Sequence, residues 1–233
     1  MNHLGATQDT NKCVLITASS KGLGKAIARE FAFHGYQIIL HGRNEKKLHD
    51  FKFEINSQVV DIVVGDLRSE LVLDELYRAS RRHSINVLVN NAAIPCYGLP
   101  LDEMKPMQVY ESIETNLLSP IRLTQKIYPL LKEQRHGSII NINSIVGKEP
   151  KKFRSVHSAT KWGLKGFTKS LRIEAKDYNI KLINIYPTQI KTVKEHTFGL
   201  EPYDVAKQIY IEHETGKDYD ELIIDGRPEE FRP

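Results

Sequence analysis

The chain has 233 residues, 40% of them hydrophobic and 27% charged, enough for one sizeable core and short for two. Thirty-three Lys and Arg against 29 Asp and Glu leave a net charge of +4, and the charges are mixed along the chain rather than blocked, so a nucleic-acid partner is not expected. No apolar run approaches the ~18 residues of a membrane span, and residues 1–12 hold no stretch of signal-peptide length. The expectation is a single cytoplasmic domain over residues 1–233, with residues 1–11 flexible. The only cysteines, Cys13 and Cys96, make neither a disulfide framework nor a metal site and are expected to be reduced and structural.

Short β-branched runs alternate with longer amphipathic segments, the pattern of an α/β fold with a parallel sheet and helices on both faces. The first run, 13–17, leads into Thr17-Ala18-Ser19-Ser20-Lys21-Gly22-Leu23-Gly24 and a helix over 22–34. Small residues at such a turn let the backbone approach a pyrophosphate, while the free amides and positive end of the following helix offset its charge; a plain tight turn is the alternative. The second strand, 37–40, closes on His41-Gly42-Arg43-Asn44. No carboxylate stands there to accept from a free ribose 2′-hydroxyl. Arg43, helped by Lys21, is placed to pair with a 2′-phosphate, which favours NADP(H) over NAD; two solvated surface cations are the other reading.

A helix over 45–53 precedes the third strand, 59–64, which ends before Asp66-Leu67. Next come a helix over 71–83 and a fourth strand, 87–89, followed by Asn90-Asn91-Ala92-Ala93. One long helix is predicted over about 107–134, bent at Pro120. The fifth strand, 138–142, ends at Asn143-Ser144, and a helix over 156–177 starts with His157-Ser158-Ala159-Thr160-Lys161. Positions i and i+4 share a helix face, so His157 and Lys161 point the same way. A sixth strand, 181–185, runs into Tyr186-Pro187-Thr188-Gln189-Ile190-Lys191-Thr192, and a helix over 202–212 and a seventh strand, 221–224, complete the chain. Only residues 193–201 separate Thr192 from the last helix, too few for a helical lid, which predicts an open site.

Taken together these segments resemble the short-chain dehydrogenase/reductase family over roughly residues 11–192. The resemblance implies a Rossmann-type doubly wound sheet and an oxidoreductase that interconverts a carbonyl and an alcohol by hydride transfer. Thr17, Ser19, Ser20, Lys21, Gly22, Leu23 and Gly24 match the family's pyrophosphate loop, with Ala18 in place of its first glycine, a mild change if φ is negative there. Asp66 and Leu67 resemble the segment bordering the adenine, and Asn91 and Ala92 the cofactor cleft. Pro187 and Thr192 resemble the element at the nicotinamide end, with Thr188 replacing its usual glycine.

The family's catalytic set implies roles for Asn116 (water of the proton relay), Ser144 (substrate oxygen) and Lys161 (nicotinamide ribose). Where the family carries tyrosine this chain carries His157. An imidazole titrates near 6.5 rather than 10, so it can do acid/base work at neutral pH, more often as base beside a lysine. It is also shorter than a phenol, so another group such as Tyr97 or Tyr186 could substitute, or the site could do little chemistry. A second class of function, an NADP-binding sensor or scaffold without turnover, follows from that last case. Lys148, Lys151, Lys152, Arg154, Lys191, Lys194 and His196 flank the site and hint at an anionic substrate, a solvated loop being the plainer reading. Relatives assemble through the helices of Asn116 and His157, so a homodimer or homotetramer is expected.

Overall fold

A computed structural model describes residues 12–55, 58–192, 198–215, 221–228 and 230. The polar lead-in expected to be flexible lies outside the described residues, as do Lys194 and His196. Seven strands form one sheet: β1 (Cys13–Ile16), β2 (Gln37–Gly42), β3 (Val59–Val64), β4 (Val87–Asn90), β5 (Gly137–Ile142), β6 (Ile180–Pro187) and β7 (Glu221–Ile224). Every pairing is parallel, in the order β3-β2-β1-β4-β5-β6-β7.

Alternate residues of each strand feed two cores. Val14, Ile16, Ile38 and Leu40 pack with Ile27 and Phe31 of α1 (Gly22–Phe33), Leu48 and Phe51 of α2 (Glu45–Ile55), and Val205 and Ile209 of α7 (Pro202–Glu214). Cys13, Leu15, Ile39 and Leu88 pack with Leu73 and Leu76 of α3 (Glu70–Arg82), Leu123, Ile127 and Leu131 of α5 (Ser119–Gln134), and Leu171 of α6 (Ser155–Ala175). Both faces are covered, which is why the strands read as continuous apolar runs. Each such buried aliphatic side chain contributes about 1.5–3 kcal/mol. β1 has β2 on one side and β4 on the other, so the order reverses there and a crevice opens beyond the carboxyl ends of β1 and β4.

The long helix is interrupted rather than bent by its proline. α4 (Pro106–Ile113) is followed by a π-helical turn, Glu114–Leu118, and only then by α5. Pro120 sits in the first turn of α5, where its missing N–H costs little. The wide turn ahead of it absorbs the ring, and Ser119 Oγ donates to the Glu114 carbonyl at 2.8 Å. α6 ends in a 3₁₀ turn, Lys176–Tyr178, stopped by Asn179 at φ +54°. Both cysteines are free and buried, and burial pushes the Cys13 thiol up to about 12.

Candidate active site

The crevice is built first by hydroxyls that tie strand ends together. Thr17 Oγ1 donates to the Val89 carbonyl (3.3 Å) and accepts from the amides of Asn91 (2.9 Å) and Ala92 (3.0 Å). Ser19 Oγ donates to the His41 carbonyl (3.1 Å) and accepts from its amide (3.0 Å). Both side chains are therefore committed to the sheet, leaving backbone contact as what they offer a ligand. Asn91 Nδ2 donates to the carbonyls of Thr17 (2.9 Å) and Ala18 (3.4 Å). A Cβ on Gly24 would lie 2.4 Å from the Ala18 oxygen and 2.5 Å from Asn91 Nδ2, so only glycine lets α1 start this close to β4.

Ala18 corrects the sequence reading. Its φ is +54°, in the left-handed region where a Cβ costs about 1–2 kcal/mol, so the departure from glycine is not mild. His41, which the sequence reading passed over as part of a strand end, holds this turn. Its Nδ1 accepts from the Ala18 amide (3.2 Å) while Nε2 meets the Gly65 carbonyl (3.2 Å). Nε2 thus carries the proton, and burial pushes the ring's pKa down to about 4. The signal was a histidine continuing an apolar strand.

The amino end of α1 suits an anion. Its N-cap residue Lys21 makes no side-chain cap bond, its first turn holds no acid, and Gly22 adopts φ +54°. Ser20 Oγ lies against Gly42, and the methyl of Thr192 lies 3.3 Å from where a Gly22 Cβ would sit, so the glycine turn meets the segment after β6. Leu23 and Leu67 are buried, Leu23 in the α1 core and Leu67 in the opposite one, with Ala92 packed against the latter. Arg43 is mostly exposed and only 4.0 Å from Asp66. Asp66 is held instead by Arg68, through Nε to Oδ1 (3.1 Å) and Nη2 to Oδ2 (3.0 Å), which keeps its carboxyl below the usual range. Arg68 also reaches Glu111 (3.2 Å); two positions from Asp66, it was legible only once the loop was folded.

Asn116 lies in the π-turn, where its amide clamps Ile94: Oδ1 accepts from that residue's amide (2.8 Å) and Nδ2 donates to its carbonyl (3.0 Å) and to Ser112 Oγ (3.2 Å). Its side chain thus fixes the loop after β4. Ser144 lies just beyond β5, its hydroxyl accepting weakly from the Val146 amide (3.4 Å). Lys161 on α6 is buried and donates Nζ to the Ile142 carbonyl (2.9 Å); burial pushes its pKa down to about 8. Asn143 joins the two, accepting from the Ser144 amide (3.0 Å) and donating to the Lys161 carbonyl (3.1 Å). Nothing in the sequence distinguished it from a strand residue.

His157, one turn before Lys161, is 8% exposed. Its Nδ1 is buried with no hydrogen-bond partner, so Nε2 is the nitrogen a substrate could reach. Burial, then Lys161 and Arg154, push its pKa down to about 4. Tyr97 stands edge-on to the imidazole, ring centroids 5.7 Å apart, under the Arg154 guanidinium at 4.4 Å. Gly98 donates to the Phe153 carbonyl (3.0 Å), pinning this cover to the segment before α6. Tyr186 is fully buried and donates to Glu221 (3.2 Å), which commits it elsewhere. Pro187 ends β6 opposite Ile224. Thr188 has no positive φ, and its hydroxyl accepts from the Gly226 amide (3.0 Å), so the replaced glycine leaves no strain. Two flanking cations are neutralised, Lys148 by Glu221 (2.6 Å) and Lys191 by Glu201 (2.8 Å). Among the described residues no cluster could hold a metal ion, and no helix is long and apolar enough to cross a membrane.

The family model for short chain dehydrogenases matches residues 12–200. Sulfoacetaldehyde reductase 2 of Chromohalobacter salexigens is 33% identical to this chain over 185 residues, 77% of this chain and 73% of that one. Dehydrogenase/reductase SDR family member 7B of Danio rerio is 30% identical over 226 residues, 85% of this chain and 73% of that one. Among solved structures, a metagenomic short-chain oxidoreductase in complex with NADP superposes with a TM-score of 0.83 at 26% identity, covering 94% of this chain and 99% of that one.

Proposed function

Because the chain belongs to the short-chain dehydrogenase family of oxidoreductases acting on CH–OH groups, we propose that it interconverts a carbonyl and an alcohol with NADP, His157 replacing tyrosine as acid/base. The residues present fit that cofactor. The uncapped amino end of α1 with Gly22 and the close approach at Gly24 would hold the pyrophosphate. Arg43 and Lys21 would take the 2′-phosphate, and no acid at the end of β2 competes for the ribose. Asp66 and Leu67 would border the adenine, Asn91 and Ala92 would line the cofactor cleft, and Pro187 and Thr192 would lie at the nicotinamide end. When bound, the nicotinamide supplies or accepts the hydride.

The observation that carries the reading is Asn143, which accepts from the Ser144 amide and donates to the carbonyl of Lys161, one turn after His157 on the same face of α6. Ser144 would hydrogen-bond the substrate oxygen, Lys161 would bind the ribose, and His157 Nε2 would exchange the proton, directly or through one water. With its pKa pushed to about 4, the imidazole is neutral at pH 7, the form that a general base for alcohol oxidation needs. Asn116 acts by holding the loop that carries Tyr97. His157→Ala is expected to abolish turnover and His157→Tyr to retain or raise it; full activity in His157→Ala would overturn the role.

One observation favours a second reading, an NADP-binding sensor or scaffold: Tyr97 covers the imidazole. Tight NADPH binding with no oxidation or reduction across a broad alcohol and carbonyl panel would establish it. A homodimer or homotetramer through α4 and α6 goes with the exposed Met107, Tyr110 and Trp162 on those helices; Gly163 is already filled from within by Leu117. The two free thiols go with a cytoplasmic location.

A further inference from the structure

Of the cations flanking the site, Arg154 stands apart. Lys148 and Lys191 are spent on Glu221 and Glu201, Lys152 lies over Phe153, and Lys151 is exposed. Arg154 is half-buried and has no carboxylate partner among the described residues. Its guanidinium carbon lies over Tyr97, 4.4 Å from the ring centre, and that ring packs at a steep angle against His157, 5.7 Å between ring centres. A guanidinium seated over an aromatic ring still has N–H groups to offer a two-pronged acceptor. Among the described residues, the charges that bear on His157 are those of Lys161 and Arg154, both cationic. Among the described residues the mouth of the site is therefore positive, with the Arg154 guanidinium seated on Tyr97.

We propose that Arg154, held by Tyr97, is the specificity residue of this site and binds an acidic group, a carboxylate or sulfonate, on the alcohol or carbonyl substrate. The proposal rests on the carbonyl–alcohol reading above. Arg154 and His157 both lie against Tyr97, 4.4 Å and 5.7 Å from its ring centre, so an acidic group on the guanidinium suits short hydroxy acids and aldehyde acids. A neutral alcohol of the same length leaves the guanidinium without a partner.

The test compares 3-hydroxypropanoate and 2-hydroxyethanesulfonate with 3-hydroxypropanamide and 1-propanol as substrates of the NADP-loaded protein. In the wild type kcat/KM favours the anions. In Arg154→Met the ratio of anionic to neutral kcat/KM falls about 10- to 100-fold, the size of one charged hydrogen-bonding partner lost, chiefly through KM. Arg154→Lys keeps part of it, and serves if the methionine variant folds poorly. Calorimetric titration with propanoate and 1-propanesulfonate, which cannot react, gives a second readout, with the same drop in affinity expected for Arg154→Met. Equal use of anionic and neutral alcohols by the wild type, or an equal loss of both in Arg154→Met, overturns the assignment and leaves Arg154 as a cover for Tyr97. If no alcohol or carbonyl turns over, the catalytic reading fails, and the titrations alone decide Arg154: anion binding lost in Arg154→Met sustains it, and no anion binding in the wild type ends it.

Discussion

Ala18 occupies the left-handed region at the tightest point of the glycine turn, with its amide bound to His41 and its carbonyl to Asn91. Those bonds fix the turn, so the strain cannot relax. Ala18→Gly removes the Cβ penalty and returns some of it as unfolded-state entropy. Stability is expected to rise by about 1 kcal/mol, a shift of roughly 2–4 °C in Tm for a chain of this size; an unchanged or lower Tm would contradict it. Sequence could locate Ala18, because the missing glycine stands out against its neighbours. It could not assign φ, which is set by where His41 and Asn91 meet the turn in three dimensions. The same holds for Asn143, an unremarkable strand-end residue until β5 and α6 are packed.

At the scale of the element, the π-turn Glu114–Leu118 explains why one predicted helix is two. An extra residue in the turn sends Asn116 toward Ile94 rather than along the helix axis, and three hydrogen bonds hold it there. Apolar periodicity hardly changes across one wide turn, so the sequence pattern showed an uninterrupted helix and drew attention to Pro120. Asn116→Ala leaves the Ile94 amide and carbonyl to find water, at a cost of about 1–3 kcal/mol. The amide of Ile94 is expected to exchange with solvent faster in that variant, and turnover to fall as the loop carrying Tyr97 loosens. Protection as in the wild type would mean that the clamp holds nothing. α6 was legible almost whole, since its two site residues share a face at i and i+4 and nothing upstream alters its register.

For the whole molecule, a parallel sheet covered on both faces could be read from the alternating apolar runs, because both faces of each strand are buried; the strand order, and the crevice where it reverses at β1, needed the folded sheet. The charge state of the interior could not be read so. Burial pushes His41, His157 and His213 each to about 4, against about 6.5 in an unfolded chain. Between those values the unfolded chain binds more protons than the native one, so stability is full above pH 6.5 and is lost as pH falls toward 4, with a slope of up to about 1.4 kcal/mol per pH unit for each histidine. Urea midpoints at pH 7, 6 and 5 should decline in step, and a flat series would show that these rings are not buried neutral.

If His157 carries the proton, the pH dependence of alcohol oxidation reports its ionisation. For the wild type, kcat/KM should be level around neutrality, falling on the acid side as an imidazole held near 4 becomes protonated and on the alkaline side as Lys161, held near 8, loses its charge. His157→Tyr should replace the acid limb with one that rises through a higher, phenolic range. A wild-type profile that already rises through that range and survives in His157→Ala would contradict the account, because the proton would then be moved by another group.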